Sequence, residues 1–278
     1  MSIPFEMPIK MQDYQRSQLQ NVVVIGCGGT GGYLVPNLAR LIASLETNNV
    51  ELILVDGDVV ESKNLIRQNF ISPDLGRYKA EVLAERYSAA FGIEIHFITE
   101  YFKSTKLLTK LTNPDTSTIV IGCVDNNRTR REIAKWFRRG QGRVWIDAGN
   151  EEMHGQVICG INYRPYDAET NSQTFGLPCV ADLFPEIDSN RKERFNDELS
   201  CAERAASAPQ NIAVNLMAAN YLLNFAQQVI LGAPLYTHGV FFSAERSSAD
   251  TVSNLSHRLD VTQWPGYKRP KRRSRKAS

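Results

Sequence analysis

Residues 22–31 read Val-Val-Val-Ile-Gly-Cys-Gly-Gly-Thr-Gly, and this stretch decides the fold. Its first four residues are β-branched, which favours a short buried strand. The glycines at 26, 28 and 31 match the Gly-x-Gly-x-x-Gly turn, whose backbone can approach a phosphate closely. Apolar residues recur at helical spacing from Leu34 to Leu45, so a helix should follow from about Gly31. The stretch therefore predicts a strand, a phosphate-binding turn and a helix.

Strands and helices continue to alternate over residues 21–150. Short apolar runs predict strands, and longer amphipathic stretches predict helices. We expect strands at 51–55, 93–98, 118–121 and 144–146, with helices at 78–91 and 128–138. Such alternation is typical of parallel βαβ units. The predicted fold class is α/β, with a doubly wound, mostly parallel Rossmann-like sheet that carries helices on both faces.

The rest of the chain divides by composition. After a strand at 156–163, the chain is rich in Pro, Asn, Asp and Ser. A long helix that ends at Gly232 and a last strand at 236–244 follow. The expected division is an N-terminal segment at 1–20, one domain at 21–250, and a tail at 251–278. Within the domain we expect a nucleotide-binding half at 21–150, a crossover segment at 151–208, and a C-terminal helix and strand at 209–250.

The 278 residues carry 32 Lys and Arg against 30 Asp and Glu, and 42% of them are hydrophobic. These proportions are ordinary for a globular protein and exclude collagen-like and wholly disordered chains. No apolar run approaches the roughly 18 residues of a membrane span, and the first ten residues do not resemble a secretory signal. We expect a cytoplasmic protein without a membrane partner.

Positive charge is concentrated in the tail. Seven Lys and Arg residues stand between 268 and 276, with no acidic residue among them. A segment of this kind cannot bury apolar surface, so we expect it to be disordered. Two interpretations stay open: a solubilising tail, or a tail that contacts nucleic acid or an acidic partner.

The cysteines stand at 27, 123, 159, 179 and 201, and no two of them form a Cys-x-x-Cys pair. The four histidines show no metal-ligand spacing. A disulfide framework and a four-cysteine zinc site are therefore not expected. Cys27, Cys123 and Cys159 are interpreted as packing residues.

Charged residues follow the glycine turn in an order that indicates a nucleotide site. Asp56 ends the second predicted strand, where a carboxylate can bond a ribose hydroxyl. Arg67 and Lys79 come next, and an enzyme that attacks the α-phosphate of ATP needs such cations to hold the triphosphate. Asp125 follows another strand and can hold magnesium through its oxygens. Each residue alone could be a surface charge, but the ordered set predicts nucleotidyl transfer.

This ordered set resembles the ThiF/MoeB-type adenylating enzymes, which include the ubiquitin-activating enzymes. The resemblance extends from about Asn21 to Ala244. Its motifs are the glycine turn, Asp56-x-Asp58, Ser62-x-Asn64-Leu65-x-Arg67-Gln68, Gly76-Arg77-x-Lys79-Ala80, Asp125-Asn126 and Gly155-Gln156. The resemblance implies ATP and Mg²⁺ as cofactors, with Asp125 as the magnesium ligand.

The resemblance also implies roles for individual residues. Asp56 would contact the ribose, while phosphates and the leaving pyrophosphate would be engaged by Asn64, Arg67, Gln68 and Lys79. The implied catalytic residues are Arg67, Lys79, Asp125 and Cys201. The implied nucleotide contacts are Gly26, Gly28, Gly29, Gly31, Asp56, Asp58, Asn64, Arg67, Gln68, Lys79 and Asn126.

Later motifs are similar to those of the bacterial PRTRC-system ThiF proteins. They are Leu177-Pro178-Cys179, Leu183-Phe184-Pro185-Glu186, Ser200-Cys201-Ala202-Glu203 and His238-Gly239. The genes of those proteins neighbour a ubiquitin-like protein, a conjugating-enzyme-like protein and a metalloprotease-like protein. The resemblance implies a ubiquitin-like protein as substrate, a conjugating-enzyme-like partner and a homodimer. Family dimers often lend an arginine to the partner's nucleotide site, and Arg16 is the only arginine before the glycine turn.

Two cysteines, Cys179 and Cys201, stand at places where members of the family that this chain resembles carry functional cysteines. Many relatives hold zinc with two Cys-x-x-Cys pairs, but here the first place reads Cys179-Val180-Ala181-Asp182, and no second pair exists. We predict no zinc and interpret Cys179 as a remnant. Relatives that trap their protein substrate carry a cysteine before the long helix, and Cys201 occupies that place. It is interpreted as a nucleophile, with an unreactive small residue as the alternative.

Three other functions stand beside this hypothesis. Adenylation could instead serve a tRNA or a small carboxylate substrate, as in the related tRNA-modifying dehydratases, and the basic tail would suit tRNA. The glycine turn alone would fit an NAD-dependent oxidoreductase. An inactive nucleotide-binding scaffold is disfavoured, because every expected phosphate and metal residue is present. The favoured prediction is ATP- and Mg²⁺-dependent adenylation of a ubiquitin-like protein, followed by thioester formation on Cys201 and transfer to a conjugating enzyme.

Overall fold

A computed structural model of the chain describes residues 19–45, 50–113, 116–140, 142–162, 176–189 and 211–253. Arg16, Cys201 and the basic tail from residue 254 onward lie outside the described residues. Each helix in the described part of the chain is too short or too polar to cross a bilayer.

Strands of the described residues form one eight-stranded sheet. They are β1 (Leu19–Ile25), β2 (Glu51–Val55), β3 (Ile95–Ile98), β4 (Ser117–Gly122), β5 (Arg143–Asn150), β6 (His154–Asn162), β7 (Thr237–Ser243) and β8 (Ser248–Ser253). The order across the sheet is β3-β2-β1-β4-β5-β6-β7-β8. The first five run parallel, and the last three continue antiparallel from β5. The predicted mostly parallel α/β fold is confirmed.

Helices cover both faces of this sheet. They are α1 (Gly29–Ala43), α2 (Lys79–Phe91), α3 (Thr105–Leu111), α4 (Asn127–Arg139), α5 (Val180–Leu183), α6 (Glu186–Ser189) and α7 (Ile212–Leu231), with 3-10 turns at Ser62–Asn64 and Ser72–Asp74. The apolar residues of α1, α2 and α7 join one buried cluster. Those of α3, α4, α5 and α6 join a second cluster on the opposite face.

The β-branched run of β1 is explained by burial on both sides. Val22 and Val24 belong to the cluster under α1 and α7, whereas Val23 and Ile25 belong to the cluster under α4. All four side chains are at most 2% exposed. A central parallel strand has no solvent face, so its sequence lacks the alternation of polar and apolar residues.

The sequence does not indicate α3 or β8. Only Leu108 of α3 is buried, so this short helix has no repeating apolar face for the sequence to reveal. The β8 strand reads Ser-Ala-Asp-Thr-Val-Ser and lies at the sheet edge, where its pairing with β7 holds it. It continues to Ser253, which corrects the prediction that the tail begins at 251. The first helix also begins earlier than predicted, at Gly29 rather than Gly31.

The turn between β1 and α1 depends on two glycines. Gly26 has a φ of 96°, and a Cβ there would lie 2.5 Å from the carbonyl oxygen of Cys123. A Cβ on Gly31 would lie 1.9 Å from the carbonyl oxygen of Gly26. Backbone therefore packs against backbone on both sides of the turn, which brings the start of α1 close to the end of β1.

Replacing Gly31 by Ala should destabilise the fold by about 1–3 kcal/mol or more, because the backbone must move to admit the methyl group. The free energy of unfolding from urea titration measures this change. The matched control is Gly32→Ala in the same helix, where the nearest atoms lie 3.5 Å from the added Cβ. That control should be neutral or gain up to about 1 kcal/mol, as Ala does in helix interiors. Equal stability of both variants would contradict the crowded turn.

Candidate active site

The carboxyl ends of β1, β2, β4 and β5 border a cleft that is open to solvent and has an empty volume of about 910 Å³. The chain turns from β1 towards β2 on one side and continues with β4 on the other. Open parallel sheets bind their ligands at such a reversal of strand order.

Most of the sequence-predicted nucleotide residues border this cleft. The lining includes Gly26, Gly28, Gly29, Asp56, Asp58, Gln68, Lys79, Asp125 and Asn126. Gly31, Asn64 and Arg67 are not part of the lining. Gly31 packs under the turn, and the side-chain oxygen of Asn64 accepts a hydrogen bond from the Glu61 N–H at 2.9 Å. The roles assigned to all these residues in binding a nucleotide remain predictions.

Asp56 connects the end of β2 to the glycine turn. Its Oδ2 accepts a hydrogen bond from the Cys27 N–H at 2.6 Å, and its Oδ1 accepts one from the Asp58 N–H at 2.8 Å. Burial raises the pKa of Asp56 to about 6, although the Lys79 ammonium acts in the opposite direction. Two backbone donors therefore fix the position of this carboxylate beside the turn.

Lys79 begins α2 and is held by Asp58. Its side chain is only 6% exposed, and its Nζ lies 2.9 Å from Oδ2 of Asp58. The hydroxyl of Tyr101 donates a hydrogen bond to the other oxygen of Asp58 at 2.5 Å. Burial alone would lower the pKa of Lys79, but Asp56 and Asp58 outweigh it and raise that pKa. The cleft therefore contains a charged ammonium group whose direction is set by neighbouring acids.

Arg130 on α4 ties together the ends of β4 and β5. Its Nε lies 2.8 Å from Oδ2 of Asp147, which is fully buried. Its Nη2 donates to the carbonyl oxygens of Val124 at 2.6 Å and Ala148 at 2.8 Å. Burial raises the pKa of Asp147 to about 6, and the Arg130 guanidinium opposes this. These bonds hold the loop that carries Asp125.

Asp125 is exposed at the mouth of the cleft, and α4 begins two residues later. The side-chain oxygen of Asn126 accepts a hydrogen bond from the Thr129 N–H at 2.8 Å and so caps α4. Among the described residues, no group of three or more His, Cys, Asp and Glu side chains could hold a metal ion by itself. Magnesium in nucleotide sites commonly takes one or two carboxylates, with phosphate oxygens and water as the other ligands. Asp125, an exposed carboxylate at the mouth of the cleft, fits that donor set.

The four cysteines of the described residues do not have the surroundings of nucleophiles. Burial raises the pKa of Cys27, Cys123, Cys159 and Cys179, so each thiol stays protonated. Cys179 is fully buried, and its Sγ donates to Oδ2 of Asp182 at 3.1 Å. Its thiol therefore belongs to the packing of α5. Cys201, the predicted nucleophile, is outside the described residues.

Several residues that shape the cleft were not predicted from the sequence. Tyr101 and Thr30 line it, as does Asn150 at the end of β5. Arg130 stands three residues after the start of α4 and supports the cleft from behind. An arginine on the sheet-facing side of a helix is the one signal that could have indicated Arg130. The other three are recognisable only once distant parts of the chain are brought together.

Comparison with known proteins gives one family and a set of similar folds. The model of the ThiF family matches residues 6–260. Comparison with curated protein sequences gives no match. The structure of MccB from E. coli with ATP is similar with a TM-score of 0.58 and 19% identity, over 86% of this chain and 65% of that one.

Two further structures have the same similarity in fold. E. coli MccB with AMPCPP and MccA gives a TM-score of 0.61 and 19% identity, over 88% of this chain and 67% of that one. PaaA gives a TM-score of 0.58 and 17% identity, over 86% of this chain and 66% of that one. The chain therefore spans about two thirds of the length of these proteins.

Replacing Arg130 by Met should destabilise the fold, because it leaves the Asp147 carboxylate buried without its partner. We expect the free energy of unfolding at about pH 8 to fall by roughly 3–5 kcal/mol, measured by urea titration. The control is Arg139→Met at the exposed end of α4. Exposed substitutions of this kind usually change stability by less than about 0.5 kcal/mol.

The loss in Arg130→Met should be smaller at acidic pH. Asp147 has a pKa of about 6 in the folded chain, above the value of about 3.9 in unfolded chains. The folded state therefore binds more protons, and its stability falls as the pH rises through this range. Without Arg130 the pKa of Asp147 rises further, so the decrease in stability with rising pH extends to higher pH. If Arg130→Met lowered the free energy of unfolding by the same amount at about pH 5.5 and at about pH 8, the result would contradict this ion pair.

Proposed function

The chain belongs to the ThiF family, and on that premise we propose that it uses ATP to adenylate the C-terminal carboxylate of a protein. The observation that carries the proposal is the cleft, where the glycine turn, the Asp56 carboxylate and the buried Lys79 ammonium lie together. This combination suits a nucleotide whose phosphates must be held while one of them is attacked.

The nucleotide would lie across the glycine turn. Asp56 is fixed by the N–H groups of Cys27 and Asp58, and its remaining lone pairs can accept hydrogen bonds from ribose hydroxyls. The first turn of α1 starts at Gly29, where free N–H groups and the helix dipole favour a phosphate. The proposed orientation therefore places the ribose beside β2 and the α-phosphate above the turn.

In the reaction, a carboxylate oxygen of the substrate would attack the α-phosphorus. The bond from that phosphorus to the bridging oxygen breaks, and the products are an acyl-adenylate and pyrophosphate. Negative charge grows on the leaving pyrophosphate, where Lys79 and Arg67 would stabilise it. Loss of one such stabilising group commonly lowers the rate by about 10²- to 10³-fold.

Lys79 would change partners when ATP binds. In this structure the Lys79 ammonium lies 2.9 Å from Oδ2 of Asp58. A triphosphate carries more negative charge than one carboxylate, so the ammonium would move from Asp58 to a phosphate oxygen. Tyr101 bonds the other oxygen of Asp58 and would keep that carboxylate in place during the exchange.

Asp125 would hold Mg²⁺ together with phosphate oxygens and water. When bound, the ion supplies positive charge that neutralises the phosphates. The Arg130 bonds to Val124 and Ala148 would keep the Asp125 loop at the mouth of the cleft.

We further propose that the substrate is a ubiquitin-like protein, which the PRTRC-type motifs suggest. MccB has been solved with ATP and with MccA, which supports a fold that holds a nucleotide and a second molecule. In a second step, the Cys201 thiolate would attack the acyl-adenylate, forming a thioester and releasing AMP. A conjugating-enzyme-like protein would then receive the acyl group, and the working form would be a homodimer.

Replacing Lys79 or Asp125 by Ala should each lower ATP–pyrophosphate exchange by about 10²-fold or more. The assay measures labelled pyrophosphate entering ATP in the presence of the proposed substrate, a ubiquitin-like protein. The matched control is Lys110→Ala. Lys110 is exposed and lies near the amino ends of β1 and β2, whereas the cleft lies at their carboxyl ends. Exchange that is undiminished in both site variants would overturn the site assignment.

Replacing Cys201 by Ala should abolish a covalent adduct with the substrate protein while ATP–pyrophosphate exchange continues. The adduct is measured on non-reducing gels and should disappear on treatment with thiol reductant, because thioesters exchange with thiols. Cys179→Ala serves as the comparison, since that thiol is buried and bonded to Asp182. An adduct that persists in Cys201→Ala and is lost in Cys179→Ala would show that Cys179, just before α5, is the nucleophile.

A further inference from the structure

Helix α1 contains Pro36, which leaves one carbonyl group of the helix without its usual donor. In an α-helix the carbonyl of residue i−4 accepts a hydrogen bond from the N–H of residue i. Pro36 has no N–H, so the carbonyl oxygen of Gly32 receives no bond from that position. The helix nevertheless continues from Gly29 to Ala43. An acceptor close to the glycine turn is therefore open to another part of the chain.

The side chain of Asn69 supplies the missing donor. Its Nδ2 donates a hydrogen bond to the Gly32 carbonyl oxygen at 3.0 Å and a second one to the Tyr87 hydroxyl at 2.9 Å. An amide nitrogen carries two hydrogens, so both bonds form together. Arg86 of α2 donates to the backbone carbonyl of Asn69 at 3.1 Å. Asn69 is thus held between α1 and α2.

These bonds fix a short segment that passes over the start of α1. We call residues 64–69 the Gln68 loop. Gln68 itself lines the cleft, and its Nε2 lies 3.5 Å from the position that a Cβ on Gly28 would take in the glycine turn. Asn69 lies one helical turn further along, where its own Cβ is 3.6 Å from the position of a Cβ on Gly32. The loop therefore follows the first turn of α1, with one side chain in the cleft and the next bonded to the helix.

We propose that Asn69 is a positioning residue for phosphate binding, and the proposal rests on the proposed use of ATP. Asn69 lies outside the lining that the described residues give the cleft, so it acts through Gln68. Its bond to the Gly32 carbonyl holds the Gln68 loop against the glycine turn, where the Gln68 side chain meets a phosphate. A group that is already oriented in the free protein binds its ligand at a lower entropic cost.

A purely structural role for Asn69 has a different consequence. A donor for the Gly32 carbonyl stabilises the fold whether or not a phosphate is bound. The two roles separate when this carbonyl receives a donor from inside the helix. Pro36→Ala provides one, because the new N–H at position 36 reaches the Gly32 oxygen in a regular helix. The Gln68 loop gains no anchor from that bond.

Asn69→Leu removes the donor with little change in side-chain size. We expect the affinity for ATP to fall about tenfold, as for one lost hydrogen bond, while the affinity for adenosine stays unchanged. Adenosine has no phosphate, so the ratio of the two affinities excludes a general loss of binding. Both affinities are measured on the full chain by displacement of a fluorescent ATP analogue in buffer that contains Mg²⁺.

The same substitution is then made in Pro36→Ala protein, and stability is measured by urea titration. In the wild-type background, Asn69→Leu should lower the folding equilibrium constant about fivefold or more, because the Gly32 carbonyl loses its donor. In the Pro36→Ala background this loss should be much smaller, yet the ratio of ATP to adenosine affinity should still fall about tenfold. If Asn69→Leu alone fails to fold, the comparison within the Pro36→Ala background decides the question.

The matched control is Asn37→Leu. Asn37 is an exposed asparagine of α1, and its Nδ2 reaches only the Tyr33 carbonyl oxygen of the same helix, at 3.5 Å. This variant should keep the wild-type ratio of ATP to adenosine affinity.

The outcomes separate this proposal from the proposed function. If wild-type protein prefers ATP to adenosine and Asn69→Leu keeps that preference, the positioning role is overturned and the use of ATP stands. The role is also overturned if Pro36→Ala restores the ratio together with the stability, because Asn69 then supports only the fold. If wild-type protein binds ATP no more tightly than adenosine, the proposed ATP-dependent function fails together with the positioning role.

Discussion

The close approach of Gly31 to the carbonyl oxygen of Gly26 is the constraint on which the site depends. No side chain fits between them, so α1 starts directly against the end of β1. This places the Cys27 N–H within 2.6 Å of Asp56 and turns the Thr30 hydroxyl towards Asn150. The two sides of the cleft are thus joined through one tight backbone contact.

Charged side chains in and behind the cleft are arranged in oppositely charged pairs that are at least partly buried. Lys79 stands near Asp56 and Asp58, and Arg130 is bonded to Asp147. Burial raises the pKa of Asp56 and Asp147 to about 6 in spite of these cations, because it disfavours the charged form of each carboxylate. Polar groups that are already oriented require little rearrangement when charge develops on a ligand, and this is how enzymes lower electrostatic barriers.

The sequence predicts the parallel half of the fold well, because central strands such as β1 must be apolar on both faces. It predicts the antiparallel edge poorly, since β8 is polar and gains its order from β7. The same division applies to the site. The glycine turn and Asp56 follow from local motifs. By contrast, the Asn150 contacts to Thr30 and Asn215 join positions 120 and 65 residues apart, so no local pattern reveals them.

Strand β5 carries polar residues on both of its faces, and this has a consequence for assembly of the fold. Asp147 bonds Arg130 beneath α4, whereas Asn150 points towards α1 and α7 on the other face. A slip of one residue in strand pairing exchanges the two faces of a strand. In β5 such a slip would place the Asp147 carboxylate in the apolar layer under α7 and leave the Arg130 guanidinium without its partner. A chain with β5 out of register therefore loses stability because it buries unpaired charge. Asp147 and Asn150 together favour the native register of this strand.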